Sequence, residues 1–397
     1  MIKNISFSNF YSFYEEHTIS FEVSQNPSKS LYDITYNNER INKVISVIGA
    51  NGSGKTQLIR PLAFISWFIS ASYTQLKPSD EIPYKAHSLY LDEKTELSIN
   101  FVIEMQEYKY NLTLQNNQVL EESLHQKTSR SFSYLFKRER ATTADEFDYK
   151  QKGFDLTSKV AKKVKGNASI ISAAYMNDSE VSKKFMDYFS NSFNYNITVN
   201  GRDNYSENYL IDSAKFFYDN KILNDKMNKI ICELDLGISS VKINEIEVPT
   251  EEDKIQKMYL PVGVHKGKDG RGFELPFFDE SSGTKSLFVQ LRRILPILEV
   301  GGIAIIDELD NDLHPHMLPI LIELFKFEHT NPNNAQIIFT CHTPEILNIL
   351  KKHQIYLVEK ENLQSEAWRL DEMSGLRSDD NLYAKYYAGS LGATPDV

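Results

Sequence analysis

Hydrophobic and polar residues alternate over two parts of the N-terminal half of the chain. Apolar side chains occupy alternate positions in residues 2–7 and 19–23, and again in three runs between 96 and 149. This spacing predicts half-buried strands, and the later runs predict an antiparallel meander with a turn at Asn116-Asn117. An apolar run over 170–174 predicts one further strand of the same lobe.

The rest of the chain combines helical spacing with short runs that are apolar throughout. Residues 178–236 are predicted to be mainly helical, before two short strands. The wholly apolar runs predict buried strands of a parallel sheet, at 44–48, 303–307, 337–340 and 355–358. Helices are predicted over 284–298, from 315 and over 344–350. Because these strands and helices alternate, the chain has the pattern of an α/β protein.

The first buried run leads directly into a glycine-rich segment, Gly49-Ala50-Asn51-Gly52-Ser53-Gly54-Lys55-Thr56. It has the pattern G-x-x-x-x-G-K-[ST] between a strand and a helix, which is the context of a phosphate-binding loop. Lys55 would reach the β- and γ-phosphates, and the Thr56 hydroxyl would take a Mg²⁺ position. The candidate nucleotide-binding residues are Asn51, Gly52, Ser53, Gly54, Lys55, Thr56 and Gln57.

Two later strands end in side chains that suit phosphate hydrolysis. Asp307 at a strand tip could hold Mg²⁺, and Glu308 could polarise the water that attacks the γ-phosphate. His342 follows the next buried strand and could contact the γ-phosphate or orient the water. The alternative for Asp307 and Glu308 is that they are two solvated acids at the end of a strand. The alternative for His342 is a structural role.

A serine-rich turn, Ser281-Ser282-Gly283, precedes the helix predicted over 284–298. A helix N-terminus with such a turn can bind an anion, although an ordinary helix cap is the alternative. Its position about two dozen residues before the Asp-Glu strand favours a role with nucleotide.

The order of these elements resembles the ABC-type ATPases of the SMC-like branch. The segment Asn9-Phe10-Tyr11-Ser12-Phe13 resembles the N-terminal strand and turn of that branch, with Tyr11 in place of its usual basic residue. The resemblance covers about residues 1–70 and 275–397. It implies an α/β fold, an ABC-type P-loop ATPase head with a mixed parallel sheet core, an antiparallel β lobe and a helical insertion.

The same resemblance implies a division of the chain and a set of ligands. The expected parts are an N-terminal ATPase lobe (1–177), a mainly helical insertion (178–270) and a C-terminal ATPase lobe (271–397). ATP and Mg²⁺ are the implied ligands. Ser281, Ser282 and Gly283 would be the signature motif, which completes the γ-phosphate site of a second subunit. The implied assembly is a homodimer through the ATP sites or a higher homo-oligomer.

Residues 307–315 and 387–395 resemble the small single-chain ATPases of bacterial anti-phage and abortive-infection systems, the Rlo and Abi types. This implies that the chain controls a separate effector protein, nuclease-like or toxin-like. Two departures from the family stand out. Glu280 and Ser282 replace its usual leucine and glycine, and its glutamine loop has no identifiable counterpart, so our placement of that loop at 175–178 rests only on where the insertion begins.

Composition restricts the compartment and the partners. The 44 basic and 54 acidic residues give a net charge of −10, which argues against a surface that binds nucleic acid everywhere. Cys232 and Cys341 cannot build a disulfide framework, and the most apolar window, 62–73, is too short to cross a membrane. We therefore expect a cytoplasmic protein with no membrane segment.

One segment, 127–165, is basic, with eleven basic and five acidic residues. It is a candidate contact for nucleic acid or an acidic partner, and the alternative is a solvated hairpin face.

Sequence lengths limit what else the chain contains. About 100 residues separate Asp178 from Glu280, too few for a long coiled-coil arm, and 55 residues follow His342, too few for a fused nuclease. We therefore expect any nuclease to be a separate polypeptide. Two alternatives stay open, namely a DNA repair or recombination ATPase that acts directly on DNA and a transporter subunit.

Overall fold

The first long helix of the chain, Lys55–Gln75, packs between two β-sheets and belongs to one hydrophobic core with both. The computed structural model describes residues 1–23, 29–141, 146–198, 201–203, 206–234, 237–249, 255–267, 269–377 and 379–394. Pro395, the last residue of the terminal motif named above, lies outside this set.

Among the described residues the strands are β1 (Ile2–Ser8), β2 (His17–Ser20), β3 (Asp33–Tyr36), β4 (Glu39–Asn42), β5 (Val44–Gly49), β6 (Thr95–Ile103), β7 (Gln106–Gln115), β8 (Gln118–Lys127), β9 (Phe132–Arg140), β10 (Phe147–Gln151), β11 (Phe193–Tyr195), β12 (Ile197–Thr198), β13 (Gly201–Arg202), β14 (Ile238–Pro249), β15 (Ile255–Lys266), β16 (Gly272–Pro276), β17 (Ile303–Ile306), β18 (Gln336–Thr340), β19 (Ile355–Glu361) and β20 (Gln364–Arg369). The α-helices are α1 (Lys55–Gln75), α2 (Ser158–Ala161), α3 (Ile170–Tyr175), α4 (Glu180–Asn191), α5 (Glu207–Asp219), α6 (Lys221–Glu233), α7 (Ser282–Val300), α8 (Met317–Glu323) and α9 (Leu382–Tyr387). None of these helices has both the length and the apolar character needed to span a bilayer.

The central sheet has the order β11-β17-β18-β5-β19-β20. Neighbouring strands from β11 to β19 are parallel, and β20 is antiparallel to β19. Strands β5, β17 and β18 are buried along their whole length, which confirms the buried parallel strands predicted from the apolar runs. Their carboxyl ends lie at the same edge, where ligands bind in open α/β sheets.

The second sheet is antiparallel, with the order β10-β9-β8-β7-β6-β1-β2. It confirms the predicted meander and adds the two N-terminal strands to it. Asn116 and Asn117, with φ of 51° and 60°, form the tight turn between β7 and β8 that was predicted.

Gln336 on β18 joins the two sheets through the chain's N-terminus. Its side-chain oxygen accepts from the Ile2 amide (2.6 Å), and its Nε2 donates to the carbonyls of Ile2 (2.9 Å) and Asn42 (3.1 Å). Since Gln336 is buried, these bonds replace water for three backbone groups. The two ends of the chain therefore meet in one body, with a mixed α/β architecture that fits an ABC-type ATPase head.

The strand predicted over 170–174 is wrong, because these residues form α3. The Ser169 hydroxyl caps this helix by accepting from the Ile171 amide (3.1 Å), and the buried Glu122 carboxylate accepts from the Ile170 amide (3.0 Å). A short apolar run fits a buried helix as well as a strand, and here α3 packs against α1 and α4.

Residues 178–270 are less helical than predicted. After α4 the chain adds β11 to the edge of the central sheet and turns through the β12–β13 hairpin before α5 and α6. The two strands predicted next are the longer β14 and β15, which form a sheet with β16. The helix predicted over 344–350 is a 3-10 turn, Pro344–Asn348.

Four of the eleven basic residues in 127–165 bind within the protein. Arg138 is fully buried beside Glu122 (3.5 Å) and donates to three backbone carbonyls. Lys127 pairs with Glu107 (2.7 Å). Arg140 bonds to Gln118 and Val119, and Lys165 to the carbonyls of Tyr73 and Leu76. The free positive charge of this segment is therefore smaller than its sequence indicates.

Candidate active site

The phosphate loop is the turn between β5 and α1. Gly52 and Gly54 have φ of 77° and 111°, a backbone conformation that glycine adopts without strain. Ser53 between them is buried, and its hydroxyl has no hydrogen-bond partner among the described residues. An unpaired hydroxyl in such a loop fits a phosphate oxygen. Asn51 is exposed, and Gln57 is half-buried in the first turn of α1.

Lys55 points its ammonium group into this loop. Its Nζ donates to the carbonyls of Gly49 (2.8 Å) and Ala50 (3.0 Å). Burial lowers the pKa of Lys55, and the charges of Asp307 and Glu308 oppose that shift. The cation therefore lies close to both carboxylates that follow β17.

Thr56 and Asp307 are in direct contact. Thr56 Oγ1 donates to the two carboxylate oxygens of Asp307, at 3.0 and 2.9 Å. A hydroxyl and a carboxylate beside phosphate oxygens form the usual protein site for Mg²⁺. Over the described ranges, no three His, Cys, Asp or Glu side chains cluster into a separate metal site. The Thr56 hydroxyl and the Asp307 carboxylate fit a Mg²⁺ ion held jointly by protein and phosphate oxygens.

Asp307 is almost completely buried, at 2% exposure. Burial raises the pKa of its carboxyl, and hydrogen bonds from Thr340 and Thr56 oppose this shift. Thr340 Oγ1 donates to Asp307 Oδ1 (2.7 Å) and accepts from the Glu308 amide (2.7 Å). Thr340 at the end of β18 thus positions both carboxylate residues.

Asn196, at the end of the inserted strand β11, holds the main chain of Asp307. Its side-chain oxygen accepts from the Asp307 amide (2.7 Å), and its Nδ2 donates to the Asp307 carbonyl (2.9 Å). The glutamine loop was placed at 175–178, but in the structure Tyr175 ends α3 and Asn196 is the polar residue that follows the strand beside β17. The alternation of apolar and polar residues in Phe193-Asn194-Tyr195 is the sequence signal that could have indicated a strand before Asn196.

Glu308 lies between the guanidinium group of Arg202 and the imidazole ring of His342. Its Oε2 pairs with the Arg202 guanidinium on β13, and its Oε1 is 3.6 Å from His342 Nε2. Its φ is 50°, an unfavourable backbone conformation for a glutamate and one that occurs often at functional sites. The structure therefore brings Glu308 and His342, two of the candidate site residues, close together, and it adds Arg202, which was not among the candidates.

Asp310 fixes the backbone of the His342 loop. Its Oδ2 accepts from the His342 amide (2.8 Å) and from the Thr343 hydroxyl (2.6 Å). Because Asp310 follows Glu308 by two residues, the loops after β17 and β18 are held as one unit. Asp310 lies in the segment 307–315 but was not among the candidate site residues.

The serine-rich turn begins α7. Ser281 is exposed and caps the helix, since its hydroxyl accepts from the Thr284 amide (3.1 Å). Ser282 is also exposed. One turn further along α7, the Ser286 hydroxyl donates to the carbonyl of Asn311 (3.0 Å). A Cβ on Gly283 would lie 3.1 Å from the Asp312 carbonyl oxygen, so the turn packs closely on the loop after Glu308.

Glu280, which replaces the family's leucine, is bound internally. Its Oε1 lies 2.7 Å from Nε2 of His265 on β15, and the residue is buried. This contact ties the start of the serine-rich turn to the β14–β16 sheet.

A cavity of about 190 Å³ lies between α7 and the Asp-Glu strand. Ser282 and Arg293 line it from α7, and Asn196 and Arg202 line it from the insertion. Glu308 faces the same space, so the candidate catalytic carboxylate is reachable from solvent.

The chain is similar to the proteins of one family and to two solved structures. A family model described as "AAA domain, putative AbiEii toxin, Type IV TA system" matches residues 44–348, which is more than half of the chain. The solved "Crystal structure of the SmcHead bound to the C-winged helix domain of ScpA" is 12% identical with a TM-score of 0.47, covering 93% of this chain and 97% of that one. The "SMC head domain from Thermotoga maritima" is 12% identical with a TM-score of 0.43, covering 93% and 98%. Among curated proteins, none matches the chain.

Asn196→Ala should weaken both the fold and the site. It leaves the buried amide and carbonyl of Asp307 unpaired, so we expect a loss of about 2 kcal/mol in the free energy of unfolding, measured with urea. We also expect nucleotide turnover to fall by about tenfold or more, because Asp307 loses its fixed position. Asn194→Ala, on β11 two residues before Asn196, is the control. Equal stability and turnover in the two variants would contradict this role of Asn196.

Proposed function

Because the chain belongs to the family of AAA domains described as putative AbiEii toxin, Type IV TA system, we propose that it is an ATPase of bacterial anti-phage defence. It binds and hydrolyses ATP with Mg²⁺, dimerises around two nucleotides and controls a separate effector. The observation that carries this proposal is the meeting of Lys55, Thr56, Asp307, Glu308 and His342 at one edge of the central sheet.

Each of these residues has a chemical task in the proposed reaction. Lys55 and the loop amides bind the phosphates, and Thr56 and Asp307 hold Mg²⁺, which supplies charge neutralisation at the phosphate oxygens. Glu308 accepts a proton from the attacking water. His342 lies beside the same carboxylate and contacts the γ-phosphate or orients the water.

Dimerisation is proposed from the exposure of the signature turn. Ser281 and Ser282 are open to solvent at the N-terminus of α7, next to the loop that carries Glu308. In a symmetric dimer the turn of one copy would complete the γ-phosphate site of the other. A higher homo-oligomer could be built from the same contact.

The defence role is supported by the family description, which names a putative toxin of a toxin–antitoxin system. A nuclease-like or toxin-like effector, bound or released as the dimer closes, is the proposed partner. The protein would act in the cytoplasm.

An alternative function, a DNA repair or recombination ATPase that acts directly on DNA, is favoured by one exposed basic group. Lys159, Lys162 and Lys163 are exposed on α2 and the turn after it, whereas Lys165 bonds to backbone carbonyls. Three neighbouring lysines could contact a phosphate backbone or an acidic partner.

Glu308→Gln should separate ATP binding from hydrolysis. The amide keeps the shape of the side chain but cannot accept a proton, so we expect turnover to fall about 100-fold or more while ATP affinity changes little. Phosphate release measures the turnover, and an equilibrium titration measures the ATP affinity. Light scattering should show that the variant accumulates as a dimer when ATP is present. Glu328→Gln, on an exposed glutamate, is the control. Wild-type turnover in Glu308→Gln would remove Glu308 from the mechanism.

Mixing two inactive variants tests whether the signature acts across the dimer. Lys55→Ala lacks phosphate binding, and Ser281→Arg blocks the signature turn. A mixed dimer would contain one intact composite site, so we expect about a quarter of the wild-type turnover after the two are combined. No recovery, although exchange of subunits is shown by a fluorescent label, would mean that Ser281 does not act in trans.

Replacing Lys159, Lys162 and Lys163 with glutamine decides whether DNA is a direct ligand. If the alternative function is correct, wild-type protein binds duplex DNA with a salt-dependent affinity that the triple variant loses. Under the leading proposal, DNA affinity is weak and equal in both proteins. Fluorescence anisotropy at several salt concentrations measures the DNA affinity. The double variant Lys150→Gln, Lys152→Gln is the control for loss of positive charge at other positions.

A further inference from the structure

A second cavity, of about 370 Å³, lies beside the β12–β13 hairpin and the middle of α1. It shares no lining residue with the cavity at Glu308. Five aromatic side chains line it, namely those of Phe10, Tyr11, Phe64, Trp67 and Tyr195. Its concave shape, its apolar lining and its size are typical of a small-molecule site.

One wall of this cavity is charged, because Arg60 on α1 lines it. Arg60 is only 6% exposed, and its buried Nε has no hydrogen-bond partner within the described part of the chain. No ion pair of the described residues joins Arg60 to a carboxylate. Its guanidinium carbon lies 4.2 Å from the centre of the Tyr11 ring.

A buried guanidinium without an anion is unusual, since charged groups in protein interiors are normally paired. Stacking on the Tyr11 ring recovers part of the lost hydration but leaves the Nε–H donor unsatisfied. A ligand anion in the cavity would supply the missing counter-charge to the guanidinium, and the aromatic walls would stack on a flat apolar ring.

We propose that this cavity is a binding site for a small planar aromatic molecule that carries an anionic group, with Arg60 as the anion contact. The aromatic residues hold the ring, and the buried cation selects anions over neutral molecules of the same shape. A small molecule fits better than a protein segment because the pocket is concave and its one charged group lies inside it.

The position of the cavity joins it to the candidate active site. Ile197 and Thr198 of β12 line the cavity, while Asn196 before them holds Asp307 and Arg202 of the same hairpin pairs with Glu308. Arg60 Nη2 also lies 3.9 Å from the place of a Cβ on Gly201. A ligand against this hairpin would therefore act on both carboxylates, an effect that rests on the proposed ATPase function.

The test uses 8-anilinonaphthalene-1-sulfonate, an aromatic anion, and N-phenyl-1-naphthylamine, a neutral molecule of similar shape. Excitation of tryptophan should transfer energy to bound anilinonaphthalenesulfonate, and Trp67→Phe should remove most of that signal because Trp67 lines the cavity. Arg60→Met should weaken binding of the anion about tenfold or more and leave the neutral probe within about twofold. Arg60→Lys keeps the charge and should retain the preference for the anion.

Arg130→Met, on an exposed arginine of the meander, is the matched control and should bind both probes like the wild type. Equal affinities of the wild type and Arg60→Met for the anion would overturn the proposal. So would equal binding of the two probes by the wild type, which would indicate an apolar docking surface. Displacement of the anion by ATP would make the cavity part of the nucleotide site and would also contradict the proposal. Circular dichroism confirms that each variant is folded.

A second measurement tests the link to turnover. Saturating anilinonaphthalenesulfonate should change the rate of ATP hydrolysis by the wild type at least about twofold and should not change that of Arg60→Met. An unchanged rate in the wild type would refute the link. The binding titration needs no nucleotide, so failure of the ATPase proposal would leave that result intact.

Discussion

The burial of the Asp307 carboxylate is the constraint on which the site depends. Removing an ionised carboxylate from water is costly unless hydrogen bonds replace the lost hydration. Here the bonds come from Thr56 at the start of α1 and Thr340 at the end of β18, while Asn196 holds the main chain. The phosphate loop, the central sheet and the inserted strand must all be in place before Asp307 is satisfied. Folding of the two ends of the chain is therefore coupled to assembly of the nucleotide site.

The insertion is part of the site, because β11 extends the central sheet. The residue after β11 and the β12–β13 hairpin contact Asp307 and Glu308. Asn196 directly follows β11, and β13 ends at Arg202, so one short segment holds the backbone of Asp307 and the side chain of Glu308. Both β11 and β12 also contact α1, and β11 contacts α4 and α7. A change in the position of this hairpin would alter the proposed metal-binding carboxylate, Asp307, and the candidate base, Glu308, together.

The buried strands and the phosphate loop could be predicted from sequence because their signals are local. An apolar run before G-x-x-x-x-G-K-T defines a strand, a loop and a helix within neighbouring residues, and Asp307 and His342 follow runs of the same kind. The contacts of Asn196 and Arg202 depend on residues more than 100 positions away, so no local pattern marks them. The helix at 170–174 was missed for a related reason, since buried Glu122 and Ser169 satisfy its first amides.

The geometry at Glu308 indicates which oxygen would act in the proposed hydrolysis. A base needs one carboxylate oxygen that faces the water and is not committed to a strong ion pair. Oε2 is bound by Arg202, whereas Oε1 is 3.6 Å from His342, outside normal hydrogen-bond distance. The unfavourable φ of Glu308 and its amide bond to Thr340 hold the side chain in this orientation. Arg202 therefore orients the carboxylate through Oε2, and Oε1, on the side of His342, is the oxygen left to accept the proton.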